Sequence, residues 1–333
     1  MRWPGKLLLS SCRCSAVNWT DGSPVPGQMP LLLGIGGGGA RAVSFFPGSD
    51  GYQIMALDTD SRTEERYPDL RLITVGSRLV RGEGTGGNMN LARACFRVDL
   101  EEIAPIIIGR PLVMMVSSCS GSTGLAGSVE LSQLLSKVGM PFFNILLHGP
   151  EQVKGGMDPL QLASILLDGP LRPGIIMEEK TEGSGQRDPF GINEPVDMIL
   201  RASKRSGPFH IPSGAWEGLR EDGGPFEIGT MELPSPCSEL AMKAPAVVSM
   251  MVPESMSTEE VKRIVSMAFG RGEEVSIGML WEPSIRTVRF AFISRSASSP
   301  PSQQGPPPDP EALRALLDNS LETGLGPWTD IAR

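Results

Sequence analysis

Three glycine-rich segments, each near a short apolar stretch and each opening a helical pattern, constrain the fold of this chain most strongly. Residues 34–39 (GIGGGG) follow the apolar Leu31–Leu33, and residues 117–124 (SSCSGSTG) follow Leu112–Val116. Residues 82–88 (GEGTGGN) precede a helical pattern whose apolar face consists of Leu91, Ala94, Cys95 and Val98. A strand, a glycine loop and a helix in succession are typical of a parallel sheet with helices on both faces. The sequence therefore predicts an α/β fold.

Glycine loops that open helices are suited to binding phosphate, because backbone N–H groups can approach it closely and the helix N-terminus is partially positive. Gly34, Gly36 and Gly39 match the G-x-G-x-x-G fingerprint of dinucleotide-binding domains. Asp58, 19 residues after Gly39, stands near the place of a ribose-binding carboxylate. A Rossmann-type NAD(P) or FAD oxidoreductase is therefore one alternative. Such a domain needs only one glycine loop, however, and three loops fit a triphosphate that is cradled from several sides. No G-x-x-x-x-G-K-[ST] sequence is present, which excludes a P-loop NTPase.

A second α/β unit follows residue 245. Pro245–Met251 is an apolar strand, and Ser257 to Glu260 has the S-x-x-E form of a capping box before a helix. Val275–Leu280 and Arg286–Ile293 then read as two further strands. Residues 296–310 form a polar, proline-rich linker, and residues 311–321 could form a short helix after it.

Composition excludes several classes of function. The formal net charge is −8 and no long basic run is present, which argues against binding of nucleic acid. No apolar stretch reaches the roughly 18 residues that a transmembrane helix requires. The five cysteines are scattered and odd in number, as expected of reduced thiols in a cytoplasmic protein. With two histidines and no ligand spacing, a zinc site is not expected.

The loops, taken in order, resemble those of the tubulin/FtsZ superfamily, and of FtsZ-like bacterial proteins most closely. Residues 34–43 (GIGGGGARAV) are similar to the first phosphate loop of FtsZ, GVGGGGGNAV, and residues 58–60 (DTD) stand where FtsZ has NTD. Residues 82–88 (GEGTGGN) are close to G-x-G-A-G-G-N-P, the loop that meets the terminal phosphate. Residues 120–126 (SGSTGLA) stand at the place of the signature GGGTGTG. The likeness covers about residues 30–295.

The resemblance implies that the ligand is GTP or GDP, with Mg²⁺ bound through the nucleotide. Asn193 is the candidate for recognising guanine at the start of the central helix, or alternatively a turn or N-cap residue before Pro195. Glu151 is the candidate for the ribose, or alternatively an exposed acid. The complete set of residues expected to bind the nucleotide is Gly36, Gly37, Gly38, Gly39, Arg41, Asp58, Thr59, Gly86, Gly87, Asn88, Gly121, Ser122, Thr123, Gly124, Glu151 and Asn193.

The family layout implies a parallel-sheet GTP-binding domain over residues 29–205 and a smaller α/β domain over residues 206–295. Residues 1–28 are expected to be a disordered or mis-assigned extension, with Met29 as an alternative start. Residues 296–333 are expected to be a flexible linker and a C-terminal peptide, whose part 311–333 could dock on a protein or a membrane adaptor. The expected main partner is the protein itself, in head-to-tail filaments.

The sequence departs from the family in the loop that completes hydrolysis on the neighbouring subunit. Family members carry N-x-D-x-x-D there, whose carboxylates act on the attacking water. In this chain His210 stands at the place of the Asn, and Pro212 and Ala215 stand at the places of the two carboxylates. We therefore expect an FtsZ-like GTP-binding protein with weak or absent hydrolysis. The alternative is a competent GTPase that uses Glu217 or His210 as its catalytic residue.

Overall fold

A computed structural model of the chain describes residues 29–48, 50–149, 159–178, 188–204, 210–222, 226–232, 243–269 and 275–295. Four sequence-based expectations lie outside these residues: the extension over residues 1–28, Glu151, the linker over residues 296–310 and the peptide over residues 311–333. No helix of the described part is long and apolar enough to cross a membrane.

A six-stranded parallel sheet, with strand order β3-β2-β1-β4-β5-β6, forms the larger part of the described structure. Its strands are β1 (Leu31–Ile35), β2 (Gln53–Asp58), β3 (Leu72–Thr74), β4 (Val113–Ser118), β5 (Phe142–His148) and β6 (Gly174–Glu178). The central strands are apolar because helices cover both faces of the sheet. The helices of this part are α1 (Gly36–Val43), α2 (Arg62–Arg66), α3 (Ser77–Val80), α4 (Met89–Val98), α5 (Leu100–Ile107), α6 (Ser122–Lys137) and α7 (Pro159–Leu167).

Side chains of the central strands alternate between two hydrophobic cores, as the period of a strand requires. On β1, Leu32 packs into one core together with residues of α1, whereas Leu31 and Leu33 pack into the other. Phe96 of α4 and Leu131 of α6 belong to this second core. The helices that follow the three glycine loops are therefore fixed by the same buried apolar residues that hold the sheet.

A four-stranded sheet in the order β7-β10-β8-β9 forms the rest of the described fold. It consists of β7 (Phe226–Glu232), β8 (Lys243–Pro253), β9 (Val275–Glu282) and β10 (Arg289–Arg295), together with the helix α10 (Thr258–Phe269). Strands β8 and β9 are parallel, and β10 is antiparallel to β7 and β8. The capping box before α10 is present, since Ser257 Oγ lies 2.7 Å from Glu260 Oε2 and the Glu260 amide donates to Ser257 Oγ.

The strand predicted over Arg286–Ile293 begins later than the sequence suggested. β10 begins at Arg289, where its pairing with Glu232 of β7 and Met251 of β8 begins. Residues 283–288 form turns and bends instead, and none of the described strands pairs with them. The alternation of Arg286 and Val288 is therefore not evidence of a strand there.

Two further helices, α8 (Asn193–Ala202) and α9 (Ser213–Asp222), lie between the two sheets. Val196 and Ile199 of α8 and Trp216 of α9 are buried in the core that reaches both sheets. Polar contacts hold α8 on each side: the Tyr52 hydroxyl donates to Asp197, 2.9 Å away, and Ser249 Oγ donates to the Met198 carbonyl.

The direction of α8 is fixed at its C-terminal end. Lys204 Nζ, just beyond the helix, donates to the carbonyl of Asp50, which precedes β2. The end of α8 therefore lies at the edge of the six-stranded sheet where its strands begin. The Ile211 amide donates to the Ala202 carbonyl and brings the chain that leads into α9 to the same edge.

Candidate functional site

The three glycine loops lie together at the edge of the six-stranded sheet where its strands end. β1 and β4 are neighbours and end within one residue of each other, since Ile35, the last residue of β1, lies opposite Ser117, and β4 ends at Ser118. The helix α1 begins directly after β1, and α6 begins after a short turn beyond β4. In open α/β sheets, ligands bind at such a point, where strand order reverses between neighbouring strands. The arrangement therefore marks this edge as the candidate site.

Glycines of the first loop divide into packed and open positions. A Cβ on Gly36 would lie 2.9 Å from the Gly124 nitrogen, and one on Gly39 would lie 2.2 Å from the Val116 carbonyl oxygen. These two glycines are buried and allow the first loop to approach α6 and β4. Gly37 is exposed, and a Cβ there would meet only Asp58 Oδ2, at 3.7 Å. A ligand could therefore approach the backbone at Gly37 without disturbing the packing.

Gly38 is exposed as well, but a Cβ on it would lie 2.7 Å from the Ser118 Cβ. Ser118 therefore packs directly against the first loop, and its Oγ lies 2.9 Å from the Ser120 Oγ of the third loop. Arg41 is exposed in the last turn of α1 and adds a positive charge to the surface of this helix.

The second glycine loop requires left-handed backbone at four glycines. Gly82, Gly84, Gly86 and Gly87 have φ angles of 78°, 79°, 57° and 87°. A Cβ on Gly86 or Gly87 would meet no atom within 4 Å, and both residues are exposed. Asn88 caps α4, because its Oδ1 accepts from the amides of Asn90 and Leu91 at 3.0 Å. The loop therefore presents two open glycines directly before a capped helix.

A chain of four hydroxyl groups joins the second loop to the other parts of the site. Ser122 Oγ lies 3.1 Å from Thr85 Oγ1, Thr85 Oγ1 lies 3.3 Å from Thr123 Oγ1, and Thr123 Oγ1 lies 2.9 Å from Thr59 Oγ1. Thr59 is fully buried, whereas Ser122 is half-buried at the first residue of α6. These contacts bring together the end of β2, the second loop and the third loop.

Asp58 has its carboxylate turned into the protein. Its Oδ1 accepts from the Thr59 amide at 2.8 Å, and its Oδ2 accepts from Thr63 Oγ1 at 2.7 Å. Burial raises the pKa of the Asp58 carboxyl above its ordinary value, and these hydrogen bonds act in the opposite direction. Both oxygens therefore accept hydrogen bonds within the residue 58–63 turn and help to shape it, and a nucleotide-binding role of Asp58 stays a prediction.

The third loop has an open glycine and a tightly packed one. A Cβ on Gly121 would have its nearest neighbour 3.9 Å away, whereas one on Gly124 would lie 3.1 Å from the Ile35 carbonyl oxygen. Leu125, at the place of a signature threonine, is buried among Cys119 and Val129. The hydroxyl missing at this position is therefore replaced by apolar packing.

A buried ion pair locks the helices that carry the second and third loops. Glu130 of α6 is paired with Arg93 and Arg97 of α4 at 2.7 and 3.0 Å. Close packing accompanies it, since a Cβ on Gly127 would lie 2.3 Å from Phe96 Cζ and 2.6 Å from Ile35 Cγ2. The relative position of the two loops is therefore rigidly determined.

Three further predicted residues, Asn193, His210 and Glu217, belong to α8, α9 and the chain between them. Asn193 begins α8, and its amide donates to Asp188 Oδ2 at 2.8 Å, which fixes the start of the helix. His210 and Glu217 are exposed, beside the C-terminal end of α8 and on α9 respectively. Among the residues described, no three His, Cys, Asp or Glu side chains form a group that could hold a metal ion.

Two site residues, Thr85 and Ser118, are absent from the residues that the sequence analysis selected. Thr85 is 7% exposed and is the middle of the hydroxyl chain, and Ser118 lines the first loop. A signal for Thr85 was present, since it stands where the family motif has Ala. Ser118 carried no such signal, because its contact depends on the register of β4 against the first loop.

Comparison with curated proteins identifies relatives of this fold. No profile of a known protein family matches the chain. Cell division protein FtsZ 1 of Methanocaldococcus jannaschii is 22% identical over 308 residues, which cover 80% of this chain and 83% of that protein. FtsZ of Neisseria meningitidis is 25% identical over 145 residues, which cover 39% of this chain and 37% of that protein.

Solved structures have the same fold. An empty FtsZ dimer of M. jannaschii superimposes with a TM-score of 0.61 at 18% identity, over 81% of this chain and 89% of that chain. CetZ2 from Haloferax volcanii, solved as a GTPγS-bound protofilament, gives a TM-score of 0.59 at 15% identity, over 88% of this chain and 98% of that chain. The chain is similar to FtsZ in sequence and shares the fold of FtsZ and CetZ, which supports membership of the tubulin/FtsZ superfamily.

The chain has the predicted fold class, a parallel sheet with helices followed by a smaller α/β part. It departs from the quoted motifs at both Thr85 and Ser122, which contact each other. The roles of the individual site residues stay predictions.

Proposed function

We propose that the chain binds GTP and GDP in a cradle formed by the three glycine loops. The observation that supports this most directly is that the N-termini of α1, α4 and α6 come together, joined by the hydroxyl chain and by the close approach of Gly36 to Gly124. Helix N-termini carry unpaired N–H groups and partial positive charge, which favour phosphate oxygens. Three of them around one place suit a polyphosphate better than a single phosphate.

The open glycines are where the phosphates would fit. A side chain at Gly37, Gly86, Gly87 or Gly121 would meet no close atom of the chain, so these positions leave room for a ligand. Because the described residues offer no acidic cluster for a metal ion, Mg²⁺ would be held mainly by phosphate oxygens of the nucleotide. The hydroxyls of Ser122 and Thr123 are the protein groups available beside it.

Recognition of guanine is assigned in this proposal to Asn193. It lies in the first turn of α8, where the Asp188 carboxylate accepts from the amides of Ile192 and Asn193. The side chain is half-buried on a helix that packs between the two sheets. These backbone contacts fix the start of α8 and support a position for Asn193 in the helix over one in a turn.

We further propose head-to-tail self-association, which the relatives solved as an FtsZ dimer and a CetZ2 protofilament support. The glycine loops lie where the strands of the large sheet end, and the chain from His210 to Glu217 follows the end of α8 where those strands begin. A six-residue strand such as β2 is about 20 Å long. His210 and Glu217 therefore cannot reach the glycine loops of their own chain and would meet those of a second copy.

Hydrolysis is proposed to be weak or absent. The exposed residues His210, Pro212 and Ser213 offer no carboxylate to a neighbouring copy, and Ala215 is half-buried against the core. A positioned base commonly contributes about 10²–10⁴ to such a rate. Glu217 is exposed on α9 and is the residue on which the alternative, a competent GTPase, depends.

A dinucleotide-dependent oxidoreductase is disfavoured by the contacts of Asp58. The sheet has the strand order 3-2-1-4-5-6 that such enzymes share, so topology alone does not separate the two functions. Asp58, the candidate ribose carboxylate, already accepts hydrogen bonds from Thr59 and Thr63 with both oxygens. The second and third loops would also have no part in binding a dinucleotide.

Two further parts of the proposal rest on the sequence alone. A cytoplasmic location stays a prediction from the five scattered cysteines, an odd number typical of reduced thiols. A protein or membrane-adaptor partner for residues 311–333 stays a prediction, because these residues lie outside the described structure.

Nucleotide binding is tested by thermal unfolding of the whole protein with GTP, GDP or NADH. We expect GTP and GDP to raise the melting temperature and NADH to have no effect, since about 100 times Kd of ligand adds about 2.7 kcal/mol. Gly37→Val and Gly121→Val should fold normally, because their side chains have room, yet lose the stabilisation by GTP. Gly48→Val is the matched control, since Gly48 is exposed with no atom near its Cβ.

The outcomes separate the candidate functions. Stabilisation by NADH alone would support the oxidoreductase. Normal stabilisation of both glycine variants by GTP would show that the nucleotide does not bind in this cradle.

A further inference from the structure

Two departures from the superfamily motifs are hydrogen-bond partners in the structure. Thr85 stands where the second-loop motif G-x-G-A-G-G-N-P has Ala, and Ser122 stands where the signature GGGTGTG has Gly. The two residues are 37 positions apart in the chain, yet their hydroxyl oxygens are 3.1 Å apart. Each departure adds a hydroxyl group, and the two hydroxyls meet. The pair therefore has a joint physical role that neither residue would have alone.

The first role of the pair is to tether the tip of the second loop. The base of the loop is held by its backbone, since the Gly84 amide donates to the Thr59 carbonyl and the Ser61 amide to the Gly82 carbonyl. In the described part of the chain, every hydrogen bond between this loop and α6 passes through the Thr85 hydroxyl. The open Gly86 and Gly87 follow Thr85 directly. The Thr85 hydroxyl therefore determines where their backbone N–H groups lie.

The second role concerns protons. The chain Ser122, Thr85, Thr123 and Thr59 contains four hydroxyl protons and three hydrogen bonds, each of which uses one proton. At least one proton is therefore left to donate elsewhere. Thr59 is fully buried at one end of the chain and Ser122 is half-buried at the other, so of the two ends the Ser122 end is the one that an anion can reach.

The hydroxyls can all point in one direction. If Ser122 donates to an anion, Thr85 can donate to Ser122, Thr123 to Thr85 and Thr59 to Thr123, with each proton used once. Hydrogen bonds in such a chain polarise one another and strengthen the last donor. Removing the Thr85 hydroxyl breaks the chain in the middle, although Thr85 itself does not face the ligand.

We propose that Thr85 is a positioning residue for the phosphates of the bound nucleotide, acting through Ser122. It holds the tip of the second loop on α6 and keeps the Ser122 proton directed at a phosphate oxygen. This inference rests on the proposed binding of GTP or GDP and adds to it a pair of residues that the superfamily motifs lack.

The first test is a double-mutant cycle on GTP affinity. Thr85→Val keeps the shape of the side chain and removes the hydroxyl, and we expect the Kd for GTP to rise about three- to tenfold. Thr85→Ser restores the hydroxyl and should return the Kd to within about twofold of the original. Ser122→Ala should weaken binding similarly, and the double variant should bind no more weakly than the weaker single variant. Thr230→Val, at an exposed hydroxyl on β7, is the control for the substitution itself.

The second test needs no nucleotide. The Asn88 amide donates to the Thr85 carbonyl at 3.0 Å, and the Gly84 amide donates to the Thr59 carbonyl at 3.1 Å. In Thr85→Val, hydrogen exchange measured by NMR should become about three- to tenfold faster at Asn88. Exchange at Gly84 should not change, because this amide belongs to the backbone-held base of the loop.

The two tests distinguish the possible failures. Faster exchange at Asn88 without any binding of GTP by the unaltered protein would overturn the proposed function and the phosphate-positioning role together, and leave only a structural tether. Binding of GTP that is equal in Thr85→Val and the unaltered protein would overturn this inference and leave the proposed function standing. Additive losses in the cycle would overturn the claim that Thr85 acts through Ser122.

Discussion

Gly127 of α6 is the position where a single methyl group should most clearly disturb both the core and the glycine loops. A Cβ there would lie 2.3 Å from Phe96 Cζ and 2.6 Å from Ile35 Cγ2, whereas carbon atoms in contact prefer about 3.5–4.0 Å. The neighbours would have to move by about 1 Å or more. The helix cannot easily move away, because Gly124 packs on β1 and Glu130 is paired with Arg93.

Two opposing terms set the magnitude for Gly127→Ala. Alanine in a helix interior is favoured over glycine by about 0.5–1 kcal/mol. Overpacking of a well-filled core costs about 1–3 kcal/mol, and the shortness of the contacts places this variant toward the upper end. We expect the free energy of unfolding to fall by about 1–2 kcal/mol, measured by urea denaturation. GTP affinity should fall as well, because α6 carries Gly121 to Gly124 at its start.

Two controls accompany the measurement. Gly214→Ala, in the first turn of α9 where no atom lies within 4 Å of the Cβ, should be neutral or slightly stabilising. Phe96→Leu removes the ring atoms that the new methyl group would meet. The double variant with Gly127→Ala should therefore lose less unfolding free energy than the sum of the losses in the two single variants. A stability of Gly127→Ala equal to or above that of the unaltered protein would refute the reasoning and show that the contact relaxes freely.

Two further predictions concern hydrolysis and pH. Pro212 is exposed just before α9, where Asp is a good N-cap, so Pro212→Asp should be at least as stable as the unaltered protein. It should also raise the rate of phosphate release from GTP at least about tenfold. Ala215→Asp places a charge against the core and should be less stable instead. Unchanged turnover of Pro212→Asp in assembled protein, or brisk turnover of the unaltered protein that collapses in Glu217→Ala, would contradict this. The pKa of the Asp58 carboxyl is raised in the folded state, so the folded protein binds this proton more tightly than the unfolded chain does. The free energy of unfolding of the unaltered protein, compared with that of Asp58→Asn, should therefore decrease as the pH rises above 3.8, the ordinary pKa of the carboxyl. Urea unfolding between pH 4 and 7 measures this difference, and a difference independent of pH would contradict the assigned burial.

Local signals predicted the parts of the fold in which one segment determines its own structure. The apolar runs at Leu31–Leu33 and Leu112–Val116 became β1 and β4, and the capping box at Ser257 opens α10. Between residues 151 and 240 the only element predicted above is the helix that starts at Asn193, and the structure also contains α7, β6, α9 and β7 there. Strands such as β6 and β7 lie at sheet edges, where one neighbour supplies the pairing and the hydrophobic pattern is less continuous.

The site could be predicted only as far as backbone chemistry determines it. Glycines that precede helices are visible in the sequence. Which of them are packed, as Gly36 and Gly39 are, and which are open, as Gly37 is, depends on contacts with β4 and α6. Asp58 illustrates the same limit, because its spacing suggested a ribose ligand while its environment supplies two internal donors. The meeting of Thr85 with Ser122 requires the relative position of α4 and α6, which the Glu130 ion pairs and Gly127 hold.

The proposed functions are separated by the geometry of the sheet. Residues proposed to hold the nucleotide lie where the strands end, and residues proposed to complete hydrolysis lie about 20 Å away where they begin. Substitutions this far apart with no shared partner act additively. In the proposed arrangement, Pro212 and Ala215 in place of carboxylates would leave the cradle of the same chain unaffected, while the hydroxyls of Thr85 and Ser122 would act on the cradle alone. We infer that affinity for GTP and the rate of its hydrolysis are set independently in this chain, so that Pro212→Asp should change turnover in assembled protein without changing the Kd for GTP of the monomer.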